Sequence, residues 1–177
     1  MTTEDQKSQI QKAKRPTEGA MNNSDTSAYR KALLYRRANG RKIISSHLHK
    51  VAEICPSSDH KNLISLEETD SLLVEFNSRR TALLEFRRRI SPHEIQEVLE
   101  TISKTYKGGA YIFIDEDWRY CGALRIAESW MINKEFRFGP KIINDLIFID
   151  VGMEKAISLD YFEINGDTLV DVIEWEQ

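Results

Sequence analysis

The chain has 177 residues, a net charge of −3, 41% apolar residues and 30% charged residues. This composition is typical of a water-soluble folded protein, and no long uncharged apolar run predicts a membrane span. Two cysteines are too few for a disulfide framework, so we expect a reduced, cytoplasmic setting.

The charges are divided unevenly along the chain. Residues 1 to 107 contain 19 Lys and Arg against 14 Asp and Glu, which gives +5; the remainder contains 6 against 14, which gives −8. A basic N-terminal part and an acidic C-terminal part affect which charged surfaces the protein attracts and how fast it associates with them.

The first 27 residues are polar and contain Pro16 and Gly19. Because they have too few apolar side chains to offset the entropy lost on ordering, we predict a disordered tail. The tail also lacks the apolar segment of a secretory signal. A single α+β domain is expected to follow from 28 to 177, helical over 28–107 and a sheet over 108–177.

A helix is predicted over 28–54, where apolar residues such as Leu33, Ile44 and Val51 recur at helical spacing among many basic residues. Asn39-Gly40 interrupts this pattern, so the sequence favours either a break or two helices there. Cys55-Pro56 ends the element.

The stretch 66–90 allows two interpretations. Its two similar segments "LLVEFNSRR" and "ALLEFRRRI" form either a hairpin or one helix with apolar side chains along one face. We favour the helix, because Leu, Ala, Glu and Arg are good helix formers.

A capped helix and a run of strands complete the pattern. Ser91, Pro92 and Glu94 form a capping box that begins a helix, and Gly108 ends it. Five strands are then expected, with a hairpin turn at "NGD" and a possible helix over Ala127–Glu135. The fold class is therefore α+β, with N-terminal helices packed on a mainly antiparallel five-stranded sheet. The predicted strands are Ala110–Asp115, Tyr120–Ile126, Asp145–Val151, Ala156–Ile164 and Thr168–Trp175.

Acidic residues follow two copies of the strand sequence "IFID". Asp115 ends the first copy and begins an Asp-Glu-Asp tripeptide, and Asp150 ends the second. A metal-dependent hydrolase or nuclease would place both carboxylates at one sheet edge and recruit Glu116 or Asp117, with Asp160 or Glu163 as further candidates. However, if Tyr120–Ile126 lies between the two strands, the carboxylates are separated by two strand spacings, roughly 10 Å. We therefore expect no catalytic residue, metal or cofactor.

Two other groups of residues suggest binding functions. Arginine clusters at Arg36-Arg37, Arg79-Arg80 and Arg87-Arg88-Arg89 would suit nucleic-acid phosphates, but the sequence pI of about 5.9 argues against a dedicated nucleic-acid binder. His47, His49, Cys55 and His60 do not have the spacing of a compact zinc site.

The second half of the chain resembles bacterial toxin-immunity proteins of the contact-dependent inhibition type. The segments that carry this resemblance are "FIDEDWRYCGAL" and "ISLDYFEINGDTLVDVIEWEQ", within roughly the last 70 residues. The resemblance implies a cytoplasmic protein that binds a cognate toxin domain, such as a nuclease, and covers its active site with an acidic surface. The residues expected in that contact are Asp115, Glu116, Asp117, Trp118, Tyr120, Asp150 and Glu154.

Overall fold

The computed structural model describes residues 26–136, 138–139 and 142–177. Most of the tail predicted to be disordered lies outside these residues. The structure is an α+β fold, and the described part of the chain contains no helix that is long and apolar enough to span a bilayer. Its helices are α1 Ser27–Ile54, α2 Leu66–Arg80, α3 Ile95–Thr105 and α4 Trp118–Cys121. Its strands are β1 Leu84–Ile90, β2 Ala110–Ile114, β3 Leu124–Ile126, β4 Asp145–Asp150, β5 Lys155–Ile164 and β6 Asp167–Glu176.

All strand pairs are antiparallel, in the spatial order β1-β6-β5-β4-β2-β3. The prediction of five strands was therefore short by one. The additional strand is β1, which lies in the part of the chain expected to be helical and pairs with the C-terminal strand β6.

The segment 66–90 is a helix followed by a strand, so our preference for one continuous helix was wrong. Helix α2 begins at a capping box in which Ser65 and Glu68 bond each other's backbone N–H groups. Helix α2 ends at Arg80, and the chain then forms β1, which pairs with β6 instead of continuing the helix.

Helix α1 is continuous through Gly40, where a break had been considered. The reason for glycine is close packing: a Cβ at this position would lie 2.3 Å from the carbonyl oxygen of Tyr120. Gly40 therefore lets α1 approach α4.

Two further predictions were wrong in detail. Within the predicted strand Tyr120–Ile126, the chain first completes the short helix α4, and only Leu124–Ile126 is a strand. Between Ala127 and Glu135 there is only a 3-10 turn, Ser129–Met131. The capped helix after Ser91 is confirmed as a 3-10 turn that leads into α3.

Helices pack on both faces of the sheet. Helix α3 and the C-terminal end of α1 cover one face and form the larger core cluster. Helix α2 covers part of the other face, where Leu72 and Phe76 join the cluster that contains Phe113, Ile149 and Trp175. We call these the α3 face and the α2 face.

Candidate functional site

The Asp-Glu-Asp tripeptide forms a 3-10 turn directly after β2, and its two aspartates turn inward. Lys50 Nζ lies 2.5 Å from Asp115 Oδ2 and 2.7 Å from Asp117 Oδ2. Asp115 Oδ1 also accepts the backbone N–H groups of Asn144 and Asp145, at 2.9 and 3.0 Å. These two carboxylates thus fasten α1 and the start of β4 to the end of β2.

A buried histidine completes this corner. His47 is 1% exposed, and its Nδ1 lies 3.6 Å from Asp117 Oδ2. Burial lowers the pKa of His47, although the nearby Asp117 opposes this effect, so the ring is neutral at pH 7. Burial alone would also lower the pKa of Lys50, but the hydrogen bonds and charges of its two aspartates raise it.

The remaining tripeptide residue and its neighbours are more accessible. Glu116 is exposed and forms an ion pair with Arg119. Trp118 is half-buried and packs edge-on against Phe113, with ring centroids 5.3 Å apart. Arg119 lies over the outer side of the Trp118 ring, 5.0 Å from its centroid, and Tyr120 is half-buried. This corner therefore presents one carboxylate and a partly covered aromatic ring to solvent.

The other two residues expected in a partner contact lie at the opposite end of the sheet. Asp150 pairs with Ala110, at the start of β2, whereas Asp115 follows the end of β2. Five residues of strand separate the positions, roughly 17 Å. The predicted 10 Å separation was therefore wrong, because β2 and β4 are direct neighbours and antiparallel. The two "IFID" carboxylates do not converge, which removes the geometric basis of the hydrolase interpretation.

Asp150 has a structural role in the β4–β5 turn. Its Oδ1 accepts the N–H groups of Glu154 and Lys155 at 2.8 and 2.7 Å, and its Oδ2 accepts that of Gly152 at 3.0 Å. Glu154 itself is exposed.

Residues with the potential for metal binding or nucleophilic chemistry are dispersed. Within the three described segments, no group of three or more His, Cys, Asp or Glu side chains is placed to hold a metal ion. Burial raises the pKa of Cys55 to about 12 and that of Cys121 to about 11, so both thiols are protonated at neutral pH.

The structure brings together three other carboxylates, in what we call the acidic row: Asp145, Asp160 and Asp171. In the strand register Asp145 pairs with Asp160, and Asp160 pairs with Asp171. Directly paired residues of antiparallel strands point to the same side of a sheet, so all three lie on the α2 face. The row crosses β4, β5 and β6 at right angles to the strands.

Burial and neighbouring carboxylates both affect Asp145 and Asp160. Burial raises the pKa of Asp145 to about 6; the charges of Asp160, Asp115 and Glu116 contribute further, and the charge of Arg119 opposes them. Burial, and then the charge of Asp171, raises the pKa of Asp160. Like charges directly opposite each other on a sheet are destabilising.

One cation contacts the end of the row. Arg89 Nε lies 2.9 Å from Asp171 Oδ1, and its guanidinium stacks over Phe162, 4.8 Å from the ring centroid. No basic side chain within 26–136, 138–139 and 142–177 forms an ion pair with Asp145 or Asp160.

The row lies on the part of the α2 face that α2 does not bury. Asp160 is exposed, and the apolar side chains on both sides of the row are half-buried. On one of these sides, Ile147 and Ile173 also pack against the cluster under α2. We call this area the open half-face; it consists of Asp145, Ile147, Ser158, Asp160, Phe162, Leu169, Asp171 and Ile173. The acidic row thus lies between two apolar strips, which are Phe162 with Leu169 on one side and Ile147 with Ile173 on the other.

Our sequence interpretation did not find the acidic row, although part of it could have been found. The "NGD" hairpin turn that we predicted fixes the β5–β6 register, and that register pairs Asp160 with Asp171. The pairing of Asp145 with Asp160 depends on the longer turn capped by Asp150, whose register follows from no simple turn rule.

The arginine clusters are bonded within the molecule. Arg36 pairs with Asp70, and Arg79 pairs with Glu75. The triplet on β1 is divided between both faces of the strand. Its ion pairs are Arg87 with Glu85, Arg88 with Glu174 and Arg89 with Asp171. Members of all three clusters are therefore engaged with carboxylates of this chain, which would compete with phosphates for them.

Comparison of the chain with protein families, curated proteins and solved structures found no match.

Proposed function

We propose that this chain is an inhibitory binding protein of the toxin-immunity kind, which binds a basic surface of a cognate toxin domain through the open half-face. One observation carries the proposal: the acidic row places three carboxylates on adjacent strands, on a part of the sheet that no described helix buries. Asp145 and Asp160 are directly opposed like charges, an unfavourable arrangement that a cationic partner would relieve.

The geometry of the row suits arginine or lysine side chains of a partner. Neighbouring strands are about 4.8 Å apart, so a guanidinium can lie between two paired carboxylates and bond both. Nuclease surfaces are basic because they bind phosphates, which makes a nuclease domain a suitable partner. Such a contact would form rapidly and weaken as salt is added.

The apolar strips provide apolar area that a partner can bury, which an ionic contact alone lacks. Phe162 and Leu169 lie on one side of the row, and Ile147 and Ile173 lie on the other, all half-buried. A protein partner would remove them from water, and interfaces commonly combine such an apolar centre with charged groups that set orientation.

The proposal assigns the sequence-derived contact residues different roles. Glu116 and Trp118 lie at the corner next to the row, as contributors to the border of the contact. Asp115 and Asp117 hold Lys50 and shape that corner. Asp150 and Glu154 belong to the far turn and lie outside the proposed contact.

The test uses tagged chains as baits in a lysate of the native host, with quantitative mass spectrometry of the captured proteins. Asp160→Lys reverses the exposed central charge of the row. Glu163→Lys makes the same change at an exposed position of the same strand that points to the α3 face. We expect a basic protein to be captured by the parent and by Glu163→Lys, but at least about tenfold less by Asp160→Lys.

The captured protein then provides the test of inhibition. Its expression in a laboratory host should arrest growth, and co-expression of the parent chain or Glu163→Lys should restore growth, whereas Asp160→Lys should not. Equal capture by all three baits would contradict the proposed surface. A captured protein that has no effect on growth would contradict the immunity function.

A further inference from the structure

The strand β1 forms an open edge of the sheet. It pairs with β6 on one side, and no described strand pairs with its other side. Six of its seven residues are exposed, and the exposed side chains include Leu84 at 61% and Phe86 at 50%. A long edge strand with exposed apolar side chains is a ready template for pairing with another strand.

The opposite edge differs in length and in protection. Strand β3 has only three residues, and Leu63 forms a bridge to Leu124 within it. A new strand would therefore find its longest uninterrupted template at β1.

We infer that β1 pairs antiparallel with β1 of a second copy of this chain, about a two-fold axis at Arg87. This inference goes beyond the proposed function and does not depend on it. A two-fold pairing of one strand with itself is the isologous contact expected of a homodimer.

The sequence of β1 is complementary to itself in this register. With all seven residues opposed, Glu85 faces Arg89 of the second copy, Phe86 faces Arg88, and Leu84 faces Ile90. Opposite charges, a cation over an aromatic ring and an apolar pair are each favourable across strands. The one unfavourable contact is Arg87 with itself.

The neighbouring registers fit less well. A two-fold axis permits only shifts of two residues, because a shift of one residue would place paired side chains on opposite faces of the sheet. A shift of two residues in one direction places Arg88 against itself and Arg87 against Arg89 twice. A shift of two residues in the other direction avoids contacts between arginines, but it opposes only five residues, faces Leu84 with Arg88 and leaves Ile90 without a partner from the strand. The seven-residue register also covers Leu84 and Phe86, both of which lie on the α3 face.

The contacts that Glu85 and Arg89 make within one chain are compatible with this pairing. Glu85 accepts the Nε1–H of Trp175 at 2.8 Å and bonds Arg87, while Arg89 bonds Asp171. A carboxylate has lone pairs for further donors, and a guanidinium has five N–H groups, so each can add a partner from the second copy.

The test measures mass by sedimentation equilibrium, with the full chain at concentrations up to about 300 µM, because a contact this small should be weak. We expect the parent to pass from monomer to dimer over this range. Glu85→Arg opposes two arginines and Arg89→Glu opposes two glutamates, so each variant alone should remain monomeric. An equimolar mixture should form a heterodimer, because both of its cross-strand pairs are then Arg with Glu.

Two controls keep the result interpretable. Glu163→Arg makes the same charge change away from β1 and should dimerise like the parent. Leu84→Lys changes an exposed side chain without touching the Trp175 bond, and it should be monomeric with an unchanged circular dichroism spectrum.

A parent that remains monomeric at every concentration would overturn the inference. It would also be overturned by a dimer that persists in all three β1 variants, since the contact would then lie elsewhere. A mixture of the two charge variants that remains monomeric would overturn the register.

Discussion

Replacing Asp145 by Asn removes one charge from the acidic row and leaves the side-chain shape nearly unchanged. We expect the variant to be more stable than the parent at neutral pH. Asp145 is partly buried, and the charges of Asp160, Asp115 and Glu116 add to the effect of burial, which raises its pKa from 3.8 to about 6.

The size of the effect follows from the two protonation states. The folded protein keeps the Asp145 proton up to about pH 6, whereas the unfolded chain loses it near pH 3.8. The stability contributed by this proton is complete below pH 3.8 and is lost as the pH rises through about 6. The difference between the two pKa values corresponds to at most about 3 kcal/mol. Because the carboxylate is only partly buried, solvent screening reduces the expected gain to about 1 kcal/mol.

Urea unfolding at pH 7.5 and near pH 4 measures this gain. Asp145→Asn should raise the free energy of unfolding at pH 7.5, and the gain should shrink near pH 4, where the parent carboxyl is protonated. Glu163→Gln, at an exposed position off the row, should change it by less than about 0.5 kcal/mol. A variant that is no more stable than the parent at pH 7.5 would refute the view that the charge of Asp145, partly buried among other carboxylates, destabilises the folded protein.

Three further predictions concern the corner where α1 meets β2 and α4. Lys50→Met leaves two partly buried aspartates without their cation and should lower the free energy of unfolding by about 2 kcal/mol in urea titrations; unchanged stability would contradict the ion pairs. Gly40→Ala places a Cβ 2.3 Å from the Tyr120 carbonyl oxygen, so the melting temperature should fall even though alanine favours helices; a rise would show that the two helices separate easily. Burial lowers the pKa of His47 in the folded protein below that of the unfolded chain, so the parent should lose stability as the pH falls below 6.5. His47→Leu should not show this loss. Identical pH profiles for parent and variant would contradict a buried neutral histidine.

Local signals in the sequence predicted several elements well. The capping box at Ser91 and the glycines after Lys107 bound the region of α3, and "NGD" marks the β5–β6 hairpin. In each case residues adjacent in the chain determine the conformation, so no knowledge of the rest of the fold is required.

Elements that depend on distant contacts were predicted poorly. Strand β1 consists largely of residues that also favour helices, and its conformation depends on pairing with β6 more than 75 residues later. Gly40 suggested a break because its role depends on Tyr120, which is distant in sequence. Tertiary contacts override local propensity at both places.

The positions of the acidic side chains could not be predicted from the sequence. An acidic surface was expected near Asp115, yet two of the three tripeptide carboxylates are joined to Lys50, a residue of a distant helix. Sequence alone does not show which carboxylates find an internal cation. The acidic row becomes visible only once the register of β4, β5 and β6 is known.

Carboxyl labelling tests the central claim most directly. The chain, alone and in complex with its captured toxin, is treated with a carbodiimide and glycine ethyl ester, and the labelled positions are quantified by mass spectrometry. The account predicts that the complex protects Asp160 and Asp171 while Glu154 and Glu163 are labelled as before. Protection of Glu154 with unchanged labelling of Asp160 and Asp171 would contradict it.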